Sequence, residues 1–118
     1  MFERIRKSNI QSAACAALLS ALATGVAQAD CSHGYFCQGV IQTMTVVDDA
    51  VYISLVGGTT GLTNCTPYSS IYFTLPRSNP NYQAHYATLL AAYMAKESVT
   101  LRPVDSSSGC TIAYIAAP

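Results

Sequence analysis

The apolar positions change period along the chain, and those changes divide it into elements. In "VYISLV", Val51, Ile53 and Leu55 alternate with Tyr52, Ser54 and Val56, the period of two of a strand with one buried face. The preceding run, Gly39 to Val47, is rich in Val, Ile and Thr and can pair with it as a β-hairpin across Asp48 and Asp49. The loop "GGTTGLTNCTPYS" follows, marked by Gly57, Gly58, Gly61 and Pro67. Ile71, Phe73 and Leu75 then alternate with Tyr72 and Thr74, which predicts a third strand stopping before Pro76.

From Asn79 the period becomes helical. Asn79 is placed to cap the helix, and Pro80 falls at the first helical position, where its missing N–H is no loss. Tyr82, Tyr86, Leu89, Leu90 and Tyr93 lie at i, i+4, i+7, i+8 and i+11, one face of a helix that would bury against the strands. "SVTLRPV" restores the strand period with Val99 and Leu101, and "CTIAYIA" supplies a last strand after the turn "DSSSG". A mainly β domain with one helix follows: a small five-stranded OB-like barrel of order β-β-β-α-β-β, its helix plugging the open end. An open α+β sheet with the helix on one face accounts for the same pattern.

The other side of that helix is smooth. Ala84, Ala91 and Ala95 lie opposite the core stripe beside Thr88 and Ala92, and no charged residue occurs from Asn79 to Ala95. Alanine is the best helix former, which is one explanation. The other is that Ala84, Ala91 and Ala95 meet a second copy, so that the protein is a homo-oligomer.

The first 29 residues read differently from the rest. Arg4, Arg6 and Lys7 precede an uncharged run from Ala13 to Val26, and Ala27-Gln28-Ala29 forms an A-x-A cleavage signal before Asp30. This predicts a secretory signal peptide at 1–29, no lasting membrane span, and a single domain at 30–118 that is exported to the periplasm or beyond. Four cysteines follow the cut: Cys31, Cys37, Cys65 and Cys110. An even count in a short exported chain predicts two disulfides, and proximity favours Cys31 with Cys37, leaving Cys65 with Cys110.

Charge narrows the partners. After the cut, Arg77, Lys96 and Arg102 stand against Asp30, Asp48, Asp49, Glu97 and Asp105, a net charge of −2. No basic face is left to neutralise phosphates, so a nucleic-acid partner is not expected.

Local chemistry offers no catalytic constellation. Cys31, His33 and Cys37 carry metal-ligating types, but they supply three ligands at a spacing no common zinc module uses, and an oxidising compartment favours a disulfide. His33 and His85, the two histidines, lack a neighbouring nucleophile or acid in a recognisable motif. Asp48 and Asp49 suit a hairpin turn, and Ser106 to Ser108 a solvated one. Asn64-Cys65-Thr66 matches a glycosylation sequon, although its cysteine is wanted for a disulfide. No enzyme, cofactor or metal is therefore expected. Eight tyrosines with no tryptophan are the suggestive feature, since a tyrosine offers a ring and a hydroxyl to a sugar or a protein surface. Tyr35, Tyr68 and Tyr72 are the expected exposed ligand surface, with Arg102 as a polar partner.

The order "GVIQTM", "VYISL", a cysteine loop, then "YATLLAAYMAKESVTLRP" resembles the B subunits of AB-type bacterial toxins of the subtilase-cytotoxin and typhoid-toxin kind. The resemblance implies an OB fold, a pentamer with helices around a central pore, and binding of cell-surface glycans; no glycan-binding residue carries over by position. The expected function is an exported, non-catalytic binding module of this kind. The alternative is a monomeric periplasmic or secreted protein that binds another protein as an accessory or inhibitor.

Overall fold

A computed structural model describes residues 27–117. The predicted signal peptide lies outside these residues except for Ala27, Gln28 and Ala29. Seven strands and one helix follow in the order β1 (Cys37–Val46), β2 (Ala50–Leu55), β3 (Thr66–Pro67), β4 (Phe73–Pro76), α1 (Tyr82–Ala95), β5 (Ser98–Pro103), β6 (Ser108–Gly109) and β7 (Ile112–Ala116). The domain is thus mainly β with one helix, as the periodicities predict.

The principal sheet is five-stranded and antiparallel, with strand order β4-β2-β1-β5-β7. Its centre is β1, which serves two neighbours in succession. Cys37 to Val40 pair with β5, and Ile41 to Val46 pair with β2, with a register shift between Ile41 and Thr43. An extra residue of this kind increases the local twist and coils the sheet. The free flank of the first half of β1 is covered by the segment before it, because Asp30 bridges Gln38 in antiparallel fashion.

The predicted closed barrel does not form, and the strand order along the chain differs from the five-strand expectation by the insertion of β3 and β6. These two-residue strands make a separate parallel pair. The sheet is open, and its edges β4 and β7 meet only at an isolated parallel bridge between Thr74 and Thr111. The backbone explains the gap. Gly109 and Cys110 both hold positive φ, at 85° and 46°, and Cys110 is tied to Cys65, so β7 becomes regular only at Ile112.

The core is the product of the strand alternation. Val51, Ile53 and Leu55 of β2, Phe73 and Leu75 of β4, Val99 and Leu101 of β5, and Ile112 of β7 are buried together with Ile41 and with Leu89 of the helix. Ile71, expected in the third strand, is instead exposed in a turn, and Pro76 ends β4 from within.

The helix packs against β1, β4 and β7. It begins at Tyr82, with Asn81 at the cap position, rather than at Pro80. The Asn79 side chain accepts a hydrogen bond from the Asn81 N–H at 2.8 Å, and the Tyr82 N–H reaches the Asn79 carbonyl at 3.0 Å, so Asn79 and Pro80 belong to a turn before the helix. The helix stops where Lys96 turns left-handed (φ 54°). There Glu97 N–H bonds to Ala92 C=O at 3.0 Å and Lys96 N–H to Tyr93 C=O at 3.3 Å, the two bonds of a Schellman end. Its contact stripe is Tyr82, Tyr86, Leu89 and Ala92. Leu90 and Tyr93, expected in that stripe, are exposed, while Ala92, expected on the smooth face, is buried. The small Ala92 lets the end of the helix approach the sheet, which lifts the bulkier neighbours to its flanks. Ala84, Ala91 and Ala95 are exposed, as placed by the helical projection. Among the described residues no helix is long and apolar enough to cross a membrane.

Candidate functional site

Three tyrosines converge on one side of β2. Tyr52 projects from β2 opposite Thr45 of β1 and Thr74 of β4, on the side away from Val51 and Ile53. Tyr68 and Tyr72 face each other across a three-residue turn, exchanging backbone hydrogen bonds of 3.0 and 2.9 Å. The rings of Tyr52 and Tyr68 stack with centroids 4.3 Å apart and planes 15° from parallel, and Tyr72 stands edge-on to Tyr52 at 6.3 Å. Together with Thr45 and Val47 they line an open cleft of about 260 Å³.

The turn that sets this geometry is strained. Ser69 and Ser70 both occupy the left-handed region, at φ 48° and 70°. A non-glycine residue there carries an energetic penalty of about 1–2 kcal/mol, so the surroundings must over-determine it. They do so from several directions. The Thr59 hydroxyl donates to the Ser70 carbonyl at 3.2 Å, and β3, directly before the turn, is held to β6. The Cys65–Cys110 disulfide joins the residue before β3 to the residue after β6, and the Thr74 hydroxyl donates to Gly109 C=O at 2.7 Å. Gly109 is required at that crossing, since a Cβ there would come within 2.9 Å of the Thr74 hydroxyl oxygen.

Tyr35 and Arg102 form a separate cluster. The Arg102 guanidinium lies over the Tyr35 ring at 4.8 Å and donates to the Tyr35 carbonyl at 2.8 Å. It also meets the Asp105 carboxylate at 3.2 Å. The Asn64 amide donates to Asp105 at 2.8 Å and to the Tyr35 carbonyl at 3.3 Å. The group therefore clasps three loops, those carrying Tyr35, Asn64 and Asp105, and Arg102 is occupied in holding them. With its amide nitrogen committed in this way, Asn64 does not present the sequon nitrogen outward.

The four residues expected to form one ligand surface thus fall into two groups, Tyr68 with Tyr72 and Tyr35 with Arg102; Tyr35 and Tyr68 are exposed as expected, whereas Tyr72, also expected to be exposed, is half-buried edge-on to Tyr52. Tyr52, which completes the cleft, was assigned by the sequence to a strand without a binding role. The alternation that placed Val51 and Ile53 inward also placed Tyr52 outward, and that was the available signal. Cys31 and Cys37 are joined in a disulfide and cannot serve His33 as metal-binding partners; His33 instead stacks on Phe36 at 4.8 Å. Cys65 is joined to Cys110, so the pairing is the one proximity favours.

A larger recess of about 690 Å³ opens beside the helix start, between Arg77 and Ala84. Arg77 leans over the Tyr82 ring at 5.8 Å there, and the remaining lining is turn backbone, Pro80 and solvated polar side chains. The tyrosine cleft is smaller, and its three rings stand on a frame cross-linked by the Cys65–Cys110 disulfide. No protein-family model, curated protein or solved structure matches the chain.

Proposed function

We propose that this protein is an exported, non-catalytic binding module whose Tyr52–Tyr68–Tyr72 cleft receives a sugar ring. The observation that carries the reading is the cleft itself: an exposed Tyr68 ring stacked on a half-buried Tyr52, with the half-buried Tyr72 edge-on and Thr45 in the lining, on a strained turn that the fold holds in place. A sugar presents an apolar C–H face and a rim of hydroxyls, and tyrosine satisfies both with little side-chain entropy to lose. Two disulfides among the described residues accord with export to an oxidising compartment. The approach of β4 and β7 at Thr74 and Thr111 supports an OB-like reading of the strand arrangement, short of closure. A toxin-B-like homo-oligomer is the assembly that accords with that reading and with the uncharged helix.

A glycan array probed with the oxidised domain and with Tyr68→Ala tests this. Tyr68 is 48% exposed, so its truncation leaves the fold intact. Binding by the parent with a loss of roughly tenfold or more in the variant supports the cleft, about 1.4 kcal/mol being the scale of one aromatic contact. A parent that binds no glycan overturns the sugar reading. A monomeric protein-binding accessory would then be sought by pull-down from envelope extract.

A further inference from the structure

We propose that the Ala29–Asp30 bond is a processing site that folding closes, so that the leader must be removed before the domain folds. The inference rests on the leader reading of residues 1–29. An endopeptidase that reads small residues one and three places before its cut must take Ala27 to Ala29 into its own cleft as a free extended strand. In this structure the end of that segment, Ala29, and the residue after the bond, Asp30, are already engaged. The Ala29 N–H donates to the Val56 carbonyl at 2.7 Å. The Asp30 N–H, the nitrogen of the bond to be cut, donates to the Gln38 carbonyl at 2.8 Å, and the Gln38 N–H returns a bond to the Asp30 carbonyl at 2.9 Å. The residues on both sides of the bond are therefore paired into the sheet.

Packing reinforces the pairing. Ala29 is half-buried against the hydrophobic core. It lies directly on Gly39 of β1, where an added Cβ would come within 2.9 Å of the Ala29 Cα. Just past the bond, the Cys31–Cys37 disulfide closes a short loop and holds Asp30 opposite Gln38. Hydrolysis adds water across the bond, leaving a carboxylate on Ala29 and an amine on Asp30. For a protease to reach it, Ala29 and Asp30 must first peel away from β1 and Val56. In the unfolded chain nothing opposes that. After the cut, the Asp30 nitrogen remains a donor for Gln38, so the shortened chain keeps the bridge it needs to fold.

The full 118-residue chain, oxidised in detergent, would be treated with a leader peptidase that cuts after A-x-A, and loss of residues 1–29 followed by intact mass. A peptide of residues 1 to 36 contains the cut site without β1 and serves as the unfolded reference. The folded chain is expected to be cut at least about tenfold more slowly than the peptide, since cleavage then tracks the opened population. Gly39→Ala, whose new Cβ displaces Ala29, is expected to be cut several-fold faster than the parent chain. If that variant does not fold, Cys31→Ala with Cys37→Ala, which frees the loop while keeping Cys65–Cys110, is expected to show the same acceleration. Equal rates for folded chain and peptide overturn the closure and leave the leader reading standing. Failure to cut either one after Ala29 overturns both.

Discussion

Ser54 sits in the middle of β2, 3% exposed, with its hydroxyl 2.6 Å from that of Thr43 on β1. The two members of this pair are unequal. Thr43 is exposed and can turn to water when its partner is lost, whereas Ser54 has no water to turn to. Thr43→Val, which preserves shape, is therefore expected to destabilise by about 1–3 kcal/mol, the penalty of a buried unsatisfied hydroxyl, and Ser54→Ala by about 0.5–1 kcal/mol. The double variant should recover part of the loss, and urea unfolding of all four proteins measures the coupling. Strand alternation placed Ser54 outward but could not reveal that this face would be covered, just as it placed Tyr52 outward without revealing what would join it. Such facts depend on long loops, whose paths carry no period. Asp30 adds a pH effect. Its carboxylate accepts hydrogen bonds from the Ser32 hydroxyl and N–H, and these hold its pKa below the usual carboxylate value. A depressed folded-state pKa means the contribution is present above the unfolded value and is lost as pH falls through the folded one. Amide exchange at Ser32 should therefore become less protected on acidification below the ordinary carboxylate range, while core amides hold.

At the scale of elements, the helix separates what periodicity can fix from what it cannot. Its existence and exposed alanines were legible because a long period-3.6 segment averages over many positions. Its start and the exact rotation of its buried stripe were not. The first depended on the Asn79 side chain closing a turn before Tyr82, the second on how closely the sheet admits Ala92. Two adjacent leucines test the observed rotation. Leu89 is fully buried among strand residues, and Leu89→Ala is expected to destabilise by about 2–5 kcal/mol through lost burial and a residual cavity. Leu90, one position on, is exposed, and Leu90→Ala should change stability by no more than about 0.5 kcal/mol. Similar losses at both positions would mean that the stripe is centred where the heptad-like spacing alone had put it. The short strands β3 and β6 belong to the same lesson: two residues each are too few to show a period, and a disulfide next to them supplies what a longer ladder would have.

For the molecule as a whole, the hydrophobic alternation was enough to specify a mainly β domain, since each core strand announces itself. Closure was not legible, because it depends on local backbone at Gly109 and Cys110 rather than on any pattern. The cross-links carry much of the stability of so small a domain. On the chain-entropy model Cys65–Cys110, with a sequence separation of 45, contributes about 4 kcal/mol and Cys31–Cys37, with a separation of 6, about 2 kcal/mol. Replacing the first pair by serine should therefore lower the melting temperature more than replacing the second. The remaining question at this scale is what the uncharged helix faces. Ala84, Ala91 and Ala95 are open to solvent, and Met94 beside them is 75% exposed. A solvated helix of this length ordinarily carries charge on its outer face. If the proposed assembly is right, these alanines let neighbouring helices approach, and a long cation between them must force them apart. The oxidised domain is then expected to run as an oligomer in native mass measurement, and Ala91→Lys as a monomer with unchanged helical circular dichroism, lysine being itself a good helix former. A monomeric parent would reduce the alanine face to helix propensity and remove the toxin-B-like assembly, while leaving the tyrosine cleft to be judged by its own binding test.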